Sequence, residues 1–406
     1  MRARKGAIAA LPVAACLALA ACSSSSSSTT PSSSSSSTPA AAASVPSLSI
    51  SDLTNNFAAM AGLKSLAALG KGNVAAILPD TVSSARYTEF DAPYLSEALA
   101  AAGLSPTQFT VQNAQGSDAT ELADAQEAIT KGASVLIMDP LDSGVGAQIE
   151  SYAKSHGVKV IDYDRLTLGG SRQYYVSFNN VEVGTLLGNG LVSCISAEHI
   201  SKPNVLVMRG APTDNNATLF AQGYDAVLAS YFANHTYVDV GTPPGTWTPD
   251  VAETEFQQEF TAHKNINALL SPNDENAAPI IQYLQRQGIK PDTFPVTGQD
   301  ATLVGLQNIL AGYQCGTVYK PIFEEAQAAV ALAMYVRAGK TPPAALVNGQ
   351  TKDSVSNVEV PSVLLTPEWV TSSNMASTVI ADNFVPAQQL CVAQYATDCK
   401  TAGINV

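Results

Sequence analysis

A chain of 406 residues, 46% hydrophobic and 14% charged, is long enough to bury two domain cores. Its formal net charge of −13 argues against nucleic acid as a partner. The histidines, His156, His199, His235 and His263, are far apart, and the cysteine spacings match no zinc site.

The first residues read as targeting rather than fold. Met1 to Lys5 form a basic n-region, and residues 8–20 form an apolar run too short to span a bilayer as a helix. That run ends in Leu19-Ala20-Ala21-Cys22, small residues before a cysteine. The pattern resembles a bacterial lipoprotein signal at 1–21, cleaved before Cys22 with a lipid on its thiol; the alternative is an ordinary secretory signal and a chance cysteine. Cleavage would remove Arg2, Arg4 and Lys5 and leave a mature charge of −16. Residues 23–43 are Ser, Thr, Pro and Ala, with no apolar pattern to offset ordering entropy, which predicts a disordered tether over 22–47.

Residues 48–69 predict an amphipathic helix, with Phe57, Met60, Leu63 and Leu66 at spacings of three, stopped at Gly70-Lys71-Gly72. Strands and helices then alternate. Strands are predicted over 74–78, 108–113, 134–138, 158–163 and 174–178. The helices between them cover 87–102, 118–130 and 144–155, closed by Gly103, Gly132 and Gly157. A helix over 181–196 follows Asn179-Asn180, and alternation restarts at Pro203. Strands at 205–208, 238–240, 268–270, 294–297 and 316–319 interleave with helices at 217–232, 249–263, 275–287, 303–311 and 322–338. A strand over 358–365 and a tail over 387–406 complete the chain.

Short apolar strands between helices predict an α/β fold with parallel sheets covered on both faces. Two sets of similar size, joined near Asn179-Asn180, predict two lobes around a cleft that closes by hinge motion. With a recrossing near Gly298, residues 48–179 with 298–355 form the N-terminal lobe and 180–297 with 356–386 the C-terminal lobe.

One loop stands out. Arg209–Phe220 links a strand to a helix and carries Thr213, Asp214, Asn215 and Asn216. Such loops line the ligand crevice of α/β sheets. One helix needs one cap, and the surplus of cap-type side chains points to a polyhydroxylated ligand. After Cys16 and Cys22, four cysteines remain. Cys391 and Cys399 flank a short helical run and suit a local disulfide; Cys194 and Cys315 either pair or stay as buried thiols. The sequence lacks a Walker loop, a Gly-x-Ser-x-Gly elbow and a spaced-aspartate calcium loop, so no cofactor, metal or catalytic residue is expected.

A series of motifs resembles one family. Tyr163-Asp-Arg165, Tyr175-Val-Ser-Phe-Asn-Asn180, Gly210–Phe220, Ser271-Pro-Asn-Asp-Glu275, Thr297-Gly-Gln-Asp-Ala301 and Thr317-Val-Tyr-Lys-Pro321 stand in the order found in bacterial xylose-binding proteins of ABC importers. The wider group is the ribose- and galactose-type periplasmic binding proteins, the type I fold. The resemblance spans roughly 72–385. It implies two Rossmann-like lobes joined by a three-strand hinge and one monosaccharide in the cleft. It also implies an ABC permease complex as partner and a monomer, lipid-anchored at the outer face of the cytoplasmic membrane.

The implied ligand set is Arg86, Tyr87, Asp164, Arg165, Asn215, Asn216, Trp247, Asn273, Asp274, Asp300 and Lys320. Asp accepts two hydrogen bonds and Arg donates in a fork, which suits sugar hydroxyls, while Trp247 offers a stacking face. The family usually has Trp where this chain has Tyr87, and a non-acidic residue where it has Asp139. Asp214 reads as a helix cap. Two other functions share these features. One is sugar sensing for a membrane receptor. The other is a secreted glycosidase using Asp164 and Asp274, disfavoured because Arg165 would hold Asp164 ionised.

Overall fold

The computed structural model describes residues 45–405, so the signal, Cys22 and most of the tether lie outside the described residues. Where one helix was expected over 48–69 there are 3₁₀ turns at Ile50–Asp52 and Ala58–Leu63, then α1 (Lys64–Leu69). The spacing of three explains the difference. At three residues per turn Phe57, Met60, Leu63 and Leu66 share one face, and all four are buried.

The first lobe runs through β1 (Asn73–Leu78), α2 (Ala92–Ala101), β2 (Phe109–Asn113), α3 (Asp118–Thr130), β3 (Ala133–Met138), α4 (Ser143–Ser155), β4 (Lys159–Tyr163) and β5 (Tyr174–Phe178). The second contains α5 (Asn180–Ala197), β6 (Asn204–Val207), α6 (Asn215–Ala233), β7 (Val238–Gly241), α7 (Pro249–Ala262), β8 (Ala268–Leu270), α8 (Asp274–Arg286), β9 (Thr297–Gln299), α9 (Leu303–Leu310) and β10 (Gly316–Tyr319). The chain ends with α10 (Ile322–Arg337), β11 (Gly349–Lys352), β12 (Glu359–Leu365), β13 (Glu368–Val370), α11 (Ala387–Leu390) and α12 (Ala396–Thr401).

The first-lobe sheet has the order β11-β12-β5-β4-β3-β1-β2, parallel except for the β11–β12 hairpin. The second lobe has β7-β6-β8 and β13-β10-β9, linked by a parallel bridge between Leu269 and Val296. These pairings correct the expected lobe boundaries. β9 and β10 belong to the second lobe, not the first, and β12 pairs with β5 of the first lobe rather than joining the second. The chain therefore crosses after Phe178, again at Lys320-Pro321 and finally between Leu365 and Glu368. The first and third crossings are tied by the Asn179 N–H to the Leu365 carbonyl at 2.9 Å. Alternation shows that strands exist but not which strands are neighbours, so periodicity alone does not fix where the chain recrosses between the lobes.

Local chemistry sets the ends of the helices that bear the cleft. Asp142, Asn179, Asp214, Asn273 and Thr302 each accept an N–H from the first turn they precede. Gly103 and Gly132 close helices in the left-handed conformation, as expected. Helices α5 and α6 pack closely because Gly184 and Gly223 face each other's helix. A Cβ would stand 2.0 Å from the Phe220 carbonyl oxygen at Gly184 and 2.2 Å from that of Val181 at Gly223. The expected helix over 87–102 begins as a π-helical turn at Tyr87–Asp91, a local widening common at functional sites.

Cys194 is joined to Cys315, and Cys391 to Cys399, within the described residues. The second bridge staples the tail, which packs on α9 through α11 and buries Leu390 and Ile404. Among the described residues no helix is long and apolar enough to cross a membrane, and no cluster of His, Cys, Asp or Glu has the arrangement of a metal site.

Candidate functional site

The strand ends of the two lobes face one another and enclose one polar pocket. Its walls are Ser83, Ser84, Arg86, Tyr87, Asp164 and Arg165 from the first lobe. From the second lobe and the hinge come Asp214, Asn216, Phe220, Trp247, Asn273, Gln299, Asp300 and Lys320. The space among these side chains, mouth included, is about 310 Å³, at the lower end for small-molecule sites.

The first-lobe wall is organised by Arg86. Its guanidinium meets Asp91 at 2.8 Å, Asp164 at 2.9 Å and Glu325 at 2.6 Å, and all four groups are buried. Four of its five N–H donors are thereby committed. Arg86 lines the pocket but acts chiefly by holding Asp164. The Tyr87 hydroxyl donates to Asp164 at 3.1 Å and accepts from Arg165 Nη2 at 3.0 Å. Arg165 Nε lies 3.4 Å from Asp214 of the second lobe and 3.7 Å from Asp139.

Asp164 has φ 56°, in the left-handed region that a short polar side chain tolerates. Its carbonyl oxygen holds that conformation by accepting from Tyr175 Oη and Ser177 Oγ, each at 2.8 Å, and from Asn216 Nδ2 at 2.9 Å. Asp300, at φ 91°, is the second-lobe counterpart. Backbone held in such regions clusters at binding sites because the surroundings over-determine it.

On the second-lobe wall, Asp214 caps α6 with one oxygen and accepts Trp247 Nε1 with the other at 2.9 Å. The Trp247 ring meets Phe220 edge-on with centroids 6.4 Å apart. It lies against Gly210, where a Cβ would stand 2.1 Å from the ring. Asn216 accepts from Asn180 Nδ2 at 2.9 Å, linking the loop to the hinge. Asn273 caps α8 and donates across the cleft to the Ser83 carbonyl at 2.9 Å. Asp300 accepts from Ser84 Oγ and pairs with Lys320 Nζ, each at 2.9 Å. Gln299 Oε1 is buried without a protein partner.

The charges are uneven. Burial alone would raise the Asp164 carboxyl, but Arg86, Lys320, Arg165 and the Tyr87 hydroxyl hold it below its ordinary value. Burial lifts Asp214 despite Arg165 beside it. Burial and then the charge of Asp164 raise Asp139 well above the carboxylate range, and neither Asp139 oxygen has a hydrogen-bond partner. Glu325 is pushed up to about 8, by burial first, against the pull of Arg86.

Of the expected site residues, Arg86, Tyr87, Asp164, Arg165, Asn216, Trp247, Asn273, Asp300 and Lys320 share the pocket wall. Asn215 and Asp274 do not. Asn215 opens α6 and is not a lining residue. Asp274 is fully buried behind the wall. It accepts from the Thr302 N–H at 2.9 Å, Gln314 Nε2 at 2.7 Å and Thr317 Oγ1 at 2.9 Å. It staples α8 to β10 and to the loop before α9, so it cannot pair with Asp164 across the cleft as a glycosidase would need. Ser83, Ser84, Asp214, Phe220 and Gln299 also line the pocket but lie outside the expected set, Asp214 having been expected only as a cap. The two serines follow β1 by a few residues, a strand-end position that could have flagged them.

Taken together, the wall sets fixed acceptors and donors around the three aromatic rings of Tyr87, Phe220 and Trp247, without a metal cluster among the described residues. A model of the periplasmic binding protein domain matches residues 75–341 of this chain. The D-xylose-binding periplasmic protein of Escherichia coli (strain K12) is 35% identical over 69% of this chain and 82% of its own length. The multiple sugar-binding periplasmic receptor of Rhizobium radiobacter is 30% identical over 80% of this chain and 93% of its own. A carbohydrate transporter solute-binding protein from Chloroflexus aurantiacus, solved in complex with D-glucose, superposes with a TM-score of 0.69. It is 26% identical, and the match covers 78% of this chain and 97% of that one.

Proposed function

This chain belongs to the periplasmic binding protein family of sugar-binding ABC importer components, and from that premise we propose that it captures a single pyranose, D-xylose first, between its lobes. It is a binding protein, not an enzyme. The observation that carries the reading is the pocket wall, where Asp164 and Arg165 of one lobe face Asn216, Asp300 and Lys320 contributed by the other lobe and the hinge. Sugar hydroxyls donate to Asp164 and Asp300 and accept from Arg165, Asn216 and Lys320. Hydrogen bonds to charged groups contribute about 1.5–3 kcal/mol each. Trp247, Phe220 and Tyr87 cover the apolar faces of the ring. Arg86 and Asp274 keep these side chains in place without bonding the sugar.

Because the contacts come from both lobes, they form together only in the closed state. Sugar therefore shifts the population toward closure, and the closed form is what a membrane permease would recognise. The identity to D-xylose-binding relatives favours a pentose. Thermal-shift screening of the mature protein against D-xylose, D-glucose, L-arabinose and D-ribose tests the reading. Ligand at 1,000 times Kd adds about 4 kcal/mol to stability. The largest rise is expected with D-xylose, and no rise with any sugar would overturn the proposal.

The sequence ending in Cys22 supports a lipid anchor, with the following tether holding a monomeric capture unit at the outer face of the membrane. Fatty-acid labelling of the expressed protein should depend on Cys22. A Cys22→Ala protein that still takes up label, or a wild type that never does, would remove the anchor from the account.

A further inference from the structure

Three consecutive residues of the first-lobe rim are each received by a second-lobe side chain. The Ser83 carbonyl accepts Asn273 Nδ2 at 2.9 Å, Ser84 Oγ donates to Asp300 at 2.9 Å, and the Ala85 N–H donates to Glu275 Oε1 at 2.7 Å. Asn273 and Asp300 also line the sugar pocket, but Glu275 does not. It stands in the first turn of α8, where the α8 N-terminus also favours its carboxylate. Its bond to Ala85 spans the cleft beside the ligand space rather than through it.

We propose that Glu275 is a closure latch, a positioning residue that holds the first-lobe rim against the second lobe and so slows release of the bound sugar. The inference rests on the clamshell reading of function given above. A carboxyl oxygen accepting a backbone N–H across a hinge exists only in the closed form, so its free energy adds to closure and to nothing else. Dissociation requires opening, and the latch therefore acts on the off-rate while leaving the sugar contacts intact.

The groups facing Glu275 give the latch a proton dependence. Asp300, itself paired with Lys320, faces it from the loop after β9, and Asp274 precedes it on its own helix; the first lobe offers it only the Ala85 N–H. Burial first, then the charge of Asp300, raises the carboxyl well above its ordinary value in the closed form. Opening returns it to solvent. Closure thus favours the protonated latch, and this contribution fades as pH rises through the raised value.

The test is stopped-flow release of D-xylose, followed by Trp247 fluorescence, from wild-type, Glu275→Ala and Glu275→Gln proteins. Glu275→Ala should release sugar about tenfold faster with an unchanged association rate. Glu275→Gln keeps an acceptor oxygen and should match wild type at acid pH. At alkaline pH the wild type should become the faster of the two, because the amide gains no charge opposite Asp300. Small-angle scattering of the three proteins without sugar gives a second readout, with Glu275→Ala the most expanded. If the wild type binds no sugar, the functional proposal falls while scattering still decides the latch. Equal release rates, or equal scattering where no sugar binds, would overturn it.

Discussion

The first lobe contains two clusters built to the same formula, one arginine among three carboxylates. Arg86 meets Asp91, Asp164 and Glu325; Arg172 meets Asp353 at 3.0 Å, Glu150 at 3.4 Å and Asp162 at 3.7 Å. Both are buried. The Arg86 cluster sits where the strands end toward the other lobe, and one of its carboxylates, Asp164, enters the pocket wall. The Arg172 cluster joins α4, β4 and the turn after β11, with no member on that wall. Buried charge by itself does not mark a binding site. What separates the two is whether a held carboxylate faces a space shared by both lobes.

Removing each arginine is the strongest way to break the comparison. Arg86→Met strands three buried carboxylates and should cost about 3–5 kcal/mol in urea unfolding, with loss of the sugar response. Arg172→Met should lose stability on the same scale. Its folded fraction should nevertheless bind D-xylose with wild-type affinity by equilibrium titration. Equal losses of affinity in both variants would erase the distinction. A smaller effect is expected at the aromatic wall: Trp247→Ala should weaken sugar binding about tenfold, consistent with the apolar area it covers. Asn215→Ala, off the wall, should leave affinity unchanged in the same titration.

Behind the wall the expected effect is a pH dependence of stability. Burial pushes Asp274 up to about 7, from an ordinary value of 3.8, against the hydrogen bonds it accepts. The folded state therefore holds this proton more tightly than the unfolded state. The stabilisation is complete below about 4, declines as pH rises and is gone above about 7. Thermal midpoints measured across that window should fall for the wild type relative to Asp274→Asn. Parallel curves would show that Asp274 keeps its ordinary value.

Much of this is legible in the sequence. The family resemblance pointed to Asp164, Arg165, Asn216 and Asp300, and their strand-end positions agree, because α/β sheets bring those ends to one crevice. Asp214 was rightly read as a cap, although it also touches Trp247 and Arg165. What failed depended on direction or pairing. Asn273 and Asp274 are adjacent, and only the turn of the helix decides which one faces the cleft. The same holds for Asn215 and Asn216. The lobe boundaries failed because β12 joins β5 from far along the chain, and no local pattern records such a partner. Glu275 lies within the Ser271–Glu275 motif but carries no signal of its own, since its partner is a backbone N–H 190 residues away.

Calorimetric titration of D-xylose into wild-type and Asp164→Asn proteins, side by side, tests the central claim most directly. The account predicts a saturable one-to-one isotherm for the wild type, and a loss of about 100-fold or more in affinity for Asp164→Asn with the fold intact by circular dichroism. An Asp164→Asn protein that binds D-xylose as tightly as wild type would contradict it.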